Sequence, residues 1–138
     1  MVDPAAMGWK TRAADGFSGL VGPIWAKRES ELWAYGFLAE ARHANPYGVV
    51  HGGMLVTLID HALGAIVWEA TGRQRCATIQ LDTHFVAAAR AGQFIEARGR
   101  VVRLTRSVAF MHGIASTDGK TIVEANGVWK LFGTEERE

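Results

Sequence analysis

The sequence predicts an α+β domain in which one antiparallel sheet, of about five or six strands, wraps around a single long central helix. The first observation behind this is a helical, nearly apolar pattern from Gly53 to about Ala70, which is typical of a helix at the centre of a protein. The second is the order of the strand-like segments, one before this helix and four after it. Because no second layer of helices is indicated, the sheet must bury the helix by curling around it.

Local patterns predict each element in turn. Aromatic residues recur at every second position of residues 32–41, which indicates a strand. The HANPYG run, residues 43–48, has the composition of a loop, and Gly72 is placed to cap the end of the helix. The T-D-G-K sequence at residues 117–120 predicts a tight hairpin turn. The four later strands are predicted over residues 77–87, 94–105, 107–116 and 121–132.

The chain is expected to form one domain with short extensions. Residues 1–30 are predicted as an N-terminal arm or short helix, residues 31–134 as the domain, and residues 135–138 as a polar tail. Pro23 interrupts the apolar residues of the first segment that recur at helical spacing. These residues are Phe17, Leu20, Val21, Ile24 and Trp25.

Composition excludes several classes of function. Fifteen basic and 14 acidic residues give a net charge of +1, which removes any strong electrostatic case for a nucleic-acid partner. The single cysteine, Cys76, forms no internal disulfide and leaves no cysteine cluster for a metal, so we expect a cytoplasmic protein without a metal site. Thr57, Asp60 and His61 break the longest apolar stretch, residues 54–68, which is predicted to be too short to cross a membrane.

A domain of 138 residues buries only about two thirds of its unfolded surface, so packing against a second copy would be favourable.

Two glycines open the predicted helix and are the first candidates for a functional role. Gly52 and Gly53 allow the backbone to turn sharply and to approach a ligand closely. Unpaired N–H groups and the positive end of the helix dipole lie at this point, which suits an anion or a carbonyl oxygen that becomes one. The competing interpretation is that the two glycines only turn a tight corner.

Asp60 is the second candidate, because a carboxylate among apolar helix residues needs partners or a task. The alternative is a structural aspartate whose carboxylate accepts hydrogen bonds from the amides of a neighbouring loop. Gly52 and Asp60 are eight residues apart, or roughly 12 Å along one helix. At this separation the two residues of one chain are too far apart to act on the same reacting carbon. Two antiparallel copies of the helix would bring Gly52 of one beside Asp60 of the other, so a catalytic pair implies a site shared between subunits.

These residues together resemble a known family, the hotdog-fold acyl-CoA thioesterases of the phenylacetate-degradation type, in the 4-hydroxybenzoyl-CoA thioesterase superfamily. The likeness covers roughly residues 32–132, and the segment of residues 78–92 is similar to the strand that follows the helix in that family. At residues 86–90 the chain reads V-A-A-A-R where many relatives carry a proline, so the rim of the pocket is expected to differ. The residues that carry the resemblance are Asn45, Gly48, His51, Gly52, Gly53 and Asp60.

The resemblance implies a role for each of five residues. The amide of Gly52 polarises the thioester carbonyl, while Asp60 of the partner subunit activates water or attacks directly. Asn45 helps to hold this arrangement, and Thr78 contacts the acid or the water. His51 is expected to fix the loop by hydrogen bonding rather than to act as a base. Gly48, Gly53, Arg103 and Arg106 are the expected substrate-binding residues, with the arginines as candidates for the CoA phosphates.

The predicted activity is therefore hydrolysis of a fatty or aromatic acyl-CoA to the free acid and CoA by a homodimer or a dimer of dimers. This chemistry needs no metal and no organic cofactor, because a carbonyl-polarising donor and a positioned water suffice. A non-catalytic acyl-CoA-binding protein is the alternative outside enzymes. An acyl-thioester hydratase or dehydratase of the same fold is the less favoured alternative within them.

Overall fold

The computed structural model describes residues 2–133, which form one antiparallel sheet of six strands and one long helix. The predicted α+β hotdog fold is confirmed. The polar tail predicted at residues 135–138 lies outside the described residues. The helices are α1 (Gly16–Val21) and α2 (Gly52–Ala70), and the strands are β1 (Trp25–Glu29), β2 (Leu32–Leu38), β3 (Cys76–Phe85), β4 (Phe94–Leu104), β5 (Val108–Thr117) and β6 (Lys120–Leu131).

The strands lie in the order β1-β2-β4-β5-β6-β3, and α2 packs across the inner face of this sheet. The turn between β5 and β6 has positive φ at both Asp118 (51°) and Gly119 (75°), as the predicted hairpin requires. Gly72 adopts the left-handed conformation (φ 68°) directly after α2, at the place predicted for the cap.

Two glycines of the sheet set how closely α2 approaches it. Gly99 of β4 and Gly113 of β5 are direct cross-strand partners, and the fully buried side chain of Leu63 lies against both. A methyl group on Gly99 would lie 2.3 Å from Leu63 Cδ2, and one on Gly113 would lie 2.7 Å from the same atom. The helix can therefore lie this close only because the sheet has no side chains at these two positions.

The sheet begins earlier in the chain than the sequence predicts. β1 pairs with β2 over residues 25–29, inside the stretch predicted as an arm or short helix. A strand of five residues is too short to show a convincing alternation. On the outer face of the sheet the N-terminal segment buries Trp9, which packs edge-on against Phe94 of β4 at 5.0 Å between ring centroids.

Helix α2 is longer than the apolar stretch on which the membrane prediction rested. Its 19 residues, with a mean hydropathy of 1.3 over an 18-residue window, are enough by length and composition alone to cross a bilayer, whereas the prediction concerned only residues 54–68. The same properties are typical of the core helix of a folded domain, and α2 packs against five of the six strands.

The two edges of the sheet differ. At one edge, Lys10 forms a backbone bridge to Ala26 of β1. At the other edge, β3 pairs with β6 on one side, and within residues 2–133 no strand pairs with its other side. Ile79 and Phe85 of this strand are more than half exposed. A long, unpaired edge strand with exposed apolar side chains is a feature that another chain can extend.

Replacement of Gly99 by alanine tests the contact between α2 and the sheet. The methyl group would also lie 3.0 Å from the His112 carbonyl oxygen, so we expect Gly99→Ala to lower the free energy of unfolding by about 1–3 kcal/mol. Urea unfolding measures this change. The double variant Gly99→Ala with Leu63→Ala should lose less unfolding free energy than the sum of the two single losses. The reason is that the truncated side chain at position 63 no longer meets the methyl group. A Gly99→Ala protein as stable as the wild type would contradict this account.

Candidate active site

The loop that precedes α2 is shaped by Asn45. Its side-chain oxygen accepts hydrogen bonds from the backbone N–H groups of Tyr47 (2.9 Å) and Val49 (3.3 Å). The Gly48 N–H donates to the Asn45 carbonyl and closes a turn in which Gly48 has a φ of 80°. In this chain, Asn45 and Gly48 therefore hold the conformation of the loop that leads to the glycine pair.

A buried histidine anchors the same loop to the N-terminal segment. The His43 carbonyl accepts from the His51 N–H at 2.8 Å. The His43 ring accepts from the Glu40 N–H at Nδ1 (3.0 Å) and lies 2.6 Å from the Val21 carbonyl at Nε2. Since Nδ1 accepts, Nε2 carries the proton and donates to Val21, which defines a neutral tautomer.

His51 is the N-cap of α2 and leaves one amide of the first turn unpaired. Its ring Nδ1 accepts from the Gly53 N–H at 2.8 Å, and its carbonyl accepts from the N–H groups of Met54 and Leu55. Within the described residues the Gly52 N–H has no acceptor. This amide is therefore the donor at the positive end of the helix that is available to a carbonyl oxygen.

A side chain at Gly52 would obstruct this position. A Cβ there would lie 3.3 Å from the Phe85 ring, which covers this side of the glycine from the end of β3. A side chain here would require the half-exposed Phe85 ring to shift by a few tenths of an ångström, and the glycine leaves this approach open.

Asp60 lies two helical turns further along α2 and pairs with Thr78. The Thr78 hydroxyl donates to Asp60 Oδ1 at 2.6 Å, and Asp60 Oδ2 accepts no hydrogen bond from the described residues. Thr78 is held on the helix-facing side of β3, where its cross-strand partner is the buried Trp129. The register shifts immediately after Thr78, which is the kind of bulge that re-aims side chains beside active sites.

His61 and Cys76, two titratable groups that lie near the Asp60 charge, carry no positive charge of their own. Burial lowers the pKa of His61, although the nearby Asp60 charge acts in the opposite direction, so the ring is neutral at neutral pH. Burial, and then the charge of Asp60, raise the pKa of Cys76, whose thiol lies 3.7 Å from the Gly64 carbonyl. Cys76 is therefore a protonated thiol and a poor nucleophile.

The residues that carry the unpaired amide and the carboxylate line two different clefts. Asp60 and His61 line a cleft of about 310 Å³ together with residues of α1, α2 and β3. Gly52, Asn45 and Phe85 line a second cleft of about 420 Å³, along with residues 86–89. The two clefts share no lining residue. The structure therefore brings Asp60 together with Thr78, and Gly52 together with Asn45, but it does not bring the two pairs together within one chain.

The predicted arginines lie at the opposite end of the sheet from Gly52. Arg103 and Arg106 are exposed at the β4–β5 turn, and the Ser107 carbonyl in this turn accepts from the Leu131 N–H. Leu131 is the cross-strand partner of Cys76, whereas Gly52 lies beside Phe85 at the other end of β3. Within residues 2–133, no three His, Cys, Asp or Glu side chains are grouped closely enough to hold a metal ion.

Sequence reasoning missed two contributions to the site. Phe17, Val21 and Ile24 line the Asp60 cleft, and the N-terminal segment was expected only as an arm or short helix. Their helical spacing was visible in the sequence, but nothing in it indicated which surface they cover. His43 was the second omission, because its ring contacts a residue 22 positions earlier in the chain.

Known proteins are similar to this chain in sequence. The family model described as thioesterase superfamily matches residues 47–123. PA0474 of Pseudomonas aeruginosa, an esterase by name, is 30% identical over 114 residues, which cover 81% of this chain and 85% of that protein.

Two solved structures are similar to this chain over most of its length. A phenylacetic acid degradation-related protein of Ralstonia eutropha has a TM-score of 0.65 and 28% identity, covering 92% of this chain and 87% of that one. The BH2602 protein of Bacillus halodurans, solved with CoA, has a TM-score of 0.66 and 26% identity, covering 71% of this chain and 66% of that one.

The family match spans more than half of the chain. It includes residues 47–51 of the loop before α2 (the glycine loop), the whole of α2 and the strand that carries Thr78. The chain therefore belongs to the thioesterase superfamily, as a thioester hydrolase with the hotdog fold.

Proposed function

We propose that this protein hydrolyses an acyl-CoA thioester at a site built by two copies of the chain. One copy supplies the unpaired Gly52 amide, and the other supplies Asp60 with its partner Thr78. The observation that carries the proposal is the separation of these groups into two clefts on one chain, roughly 12 Å apart along α2 at the rise of an α-helix. The substrate class is supported by the CoA bound to the Bacillus halodurans relative.

The surface of a single chain favours a second copy. A stripe along α2 is only half buried by the sheet, and the small residues in it allow a second helix to approach closely. The unpaired edge of β3 runs alongside this stripe, so a two-fold axis between two β3 strands would pair both edges and both stripes at once. The stripe consists of Val56, Thr57, Asp60, His61, Gly64 and Ala65.

The proposed chemistry uses the two groups in complementary ways. The Gly52 N–H donates to the thioester carbonyl oxygen and stabilises the negative charge that develops there. Thr78 holds Asp60 Oδ1, which leaves Oδ2 free to take a proton from water or to attack the carbonyl carbon. If water attacks, its oxygen forms the new C–O bond, Oδ2 takes its proton, the C–S bond breaks, and the proton passes to the sulfur of CoA. If Oδ2 attacks, the C–S bond breaks to give an acyl-aspartate anhydride, and water then hydrolyses this anhydride to the free acid and supplies the proton for the sulfur of CoA. No metal and no organic cofactor is required in this scheme.

The same pairing provides a place for the CoA phosphates. In an antiparallel pair of β3 strands, the Phe85 end of one strand lies against the Cys76 end of the other. The Gly52 of one copy would then lie near the Arg103 and Arg106 turn of its partner, which is next to Cys76 and Leu131. These arginines, too far from Gly52 in their own chain, would be suitably placed for the phosphates of a CoA bound at the partner's glycine loop.

The hydratase or dehydratase alternative is less well supported. It needs a loop histidine that can accept a proton, whereas His51 Nδ1 already accepts from the Gly53 N–H and its Nε2 therefore carries the ring proton. Gly53 accordingly contributes to the proposed site through this cap.

We place the enzyme in the cytoplasm, where its single thiol would remain reduced.

Removal of the Asp60 charge tests the proposed acid. We expect Asp60→Asn to lower kcat/KM for acyl-CoA hydrolysis at least ten-fold, about 1.4 kcal/mol in barrier, since the amide can neither accept the proton nor attack. Release of CoA thiol from a panel of acyl-CoAs measures this. Asp3→Asn is the matched control, because Asp3 is an exposed aspartate of the N-terminal segment that lines neither cleft. Full activity of Asp60→Asn with the oligomer intact would refute the mechanism.

A mixing experiment tests whether the site is shared. Gly52→Pro removes the donor amide at a helix position that tolerates proline, and Asp60→Ala removes the acid, so each homodimer should be inactive. Equal mixing after unfolding and refolding should restore about one quarter of the wild-type activity, because half of the dimers are hybrids with one intact site of two. Native mass spectrometry confirms that hybrids form. Proven hybrids without activity would show that the site lies within one chain.

The role of His51 is tested by a pair of substitutions. His51→Asn retains a side chain that caps helices well, whereas His51→Ala should cost about 1 kcal/mol of unfolding free energy through loss of the cap. If His51 only holds the loop, His51→Asn should keep its hydrolytic activity within about two-fold, less than about 0.5 kcal/mol in barrier. An equally large loss of kcat in both variants, with stability unchanged in His51→Asn, would instead indicate a proton-transfer role.

A further inference from the structure

The cleft beside Asp60 has apolar walls that come from three elements. Residues of the N-terminal segment, Phe17, Val21 and Ile24, form one wall. Val56 of α2 and Leu81 of β3 form the opposite side. The carboxylate of Asp60 thus lies at the border of an apolar space of about 310 Å³, which is at the lower end of small-molecule sites.

Helix α1 is held over this cleft by its C-terminal carbonyl groups. The Arg42 guanidinium donates to the carbonyls of Leu20 and Gly22, and the His43 ring donates to the carbonyl between them, that of Val21. A helix of six residues is not stable in isolation, so these three bonds and the packing of Val21 against the main core determine its position. The wall is therefore a fixed part of the domain.

The two large apolar side chains of α1 are exposed in different ways. Phe17 is 62% exposed although it lines the cleft, and Leu20 is 71% exposed and lines neither cleft. An exposed phenylalanine at the rim of an apolar cleft gains burial when an apolar group occupies the cleft. Leu20 would gain nothing from the same event.

We propose that α1 forms a wall of the acyl-binding pocket and that Phe17 and Val21 set the size of the acyl group. This inference rests on the proposed function, since a thioester carbonyl beside Asp60 must place its acyl group in an adjoining apolar space. Asp60 and three other α2 residues of this cleft also belong to the stripe that faces the second copy, so the 310 Å³ is the part of the pocket that one chain provides. This size favours a compact acyl group, such as one aromatic ring or a medium-length chain, over a long fatty acyl chain. Residues 16–21 precede the segment that the family model matches, so this wall is a feature of the chain outside that segment.

Selectivity measurements on three α1 variants test the proposal. The readout is kcat/KM for butyryl-, hexanoyl-, phenylacetyl- and palmitoyl-CoA, followed by thiol release. Val21→Trp fills the cleft and should lower kcat/KM for hexanoyl- and phenylacetyl-CoA at least ten-fold relative to butyryl-CoA. Phe17→Ala, at an exposed position, should raise KM for the same two substrates about three- to ten-fold through loss of apolar contact. Leu20→Ala is the matched control and should leave all ratios unchanged.

The outcomes separate this inference from the function on which it rests. Unchanged acyl selectivity in both Val21→Trp and Phe17→Ala, with hydrolysis still dependent on Asp60, would overturn the pocket assignment and leave the hydrolysis standing. A wild-type preference for palmitoyl-CoA would overturn the size assignment. Failure of the wild-type protein to release thiol from every acyl-CoA would overturn the proposed function itself. If Val21→Trp does not fold, Phe17→Ala alone decides the pocket assignment.

Discussion

The rigid rise of helix α2 is the constraint on which the site depends. One helix carries both the unpaired Gly52 amide and the Asp60 carboxylate, and its backbone hydrogen bonds hold them about two turns apart. No side-chain rearrangement can bring the amide, which belongs to the backbone, to the acid. The proposed use of two copies follows from this rigidity, because a second antiparallel helix is the simplest way to place both groups on one carbonyl.

The position of α2 is in turn set by its contact with the sheet and by hydrogen bonds at its N-terminal end. In the sheet, Gly99 and Gly113 leave space for the Leu63 side chain and let the helix lie close to the strands. At the end, His51 accepts three N–H groups of the first turn and leaves the Gly52 amide as the remaining donor. A capping residue that normally only satisfies a helix end thus also selects which amide faces the substrate.

Two histidines connect this helix end to the N-terminal segment. The His51 N–H bonds to the His43 carbonyl, and the His43 ring bonds to Val21 at the end of α1. The donor amide in one cleft and the apolar wall of the other are therefore attached to the same short loop. Strand β3 has a comparable double role, since one of its faces positions Thr78 while its edge remains open for pairing.

Much of this arrangement could be predicted from the sequence, because it depends on residues that are close along the chain. The helical pattern before Ala70, the strands with their hairpin turn, and the glycine pair at the start of α2 are all local signals. The rise of a helix over eight residues is likewise enough to separate Gly52 from Asp60. Strand β1 was missed because five residues carry too little pattern, and only its pairing with β2 defines it.

Only the tertiary structure decided which groups meet. The contact between Thr78 and Asp60 spans 18 residues, and the contact between His43 and Val21 spans 22. Such contacts are set by how the sheet curls around the helix, and no local periodicity reports on that. The sequence by itself determined the elements and the candidate residues of this thioesterase, because hydrophobic period and turn chemistry are local properties. The tertiary structure decided that the amide and the acid open into separate clefts and that α1 covers one of them, because packing between distant segments places these surfaces.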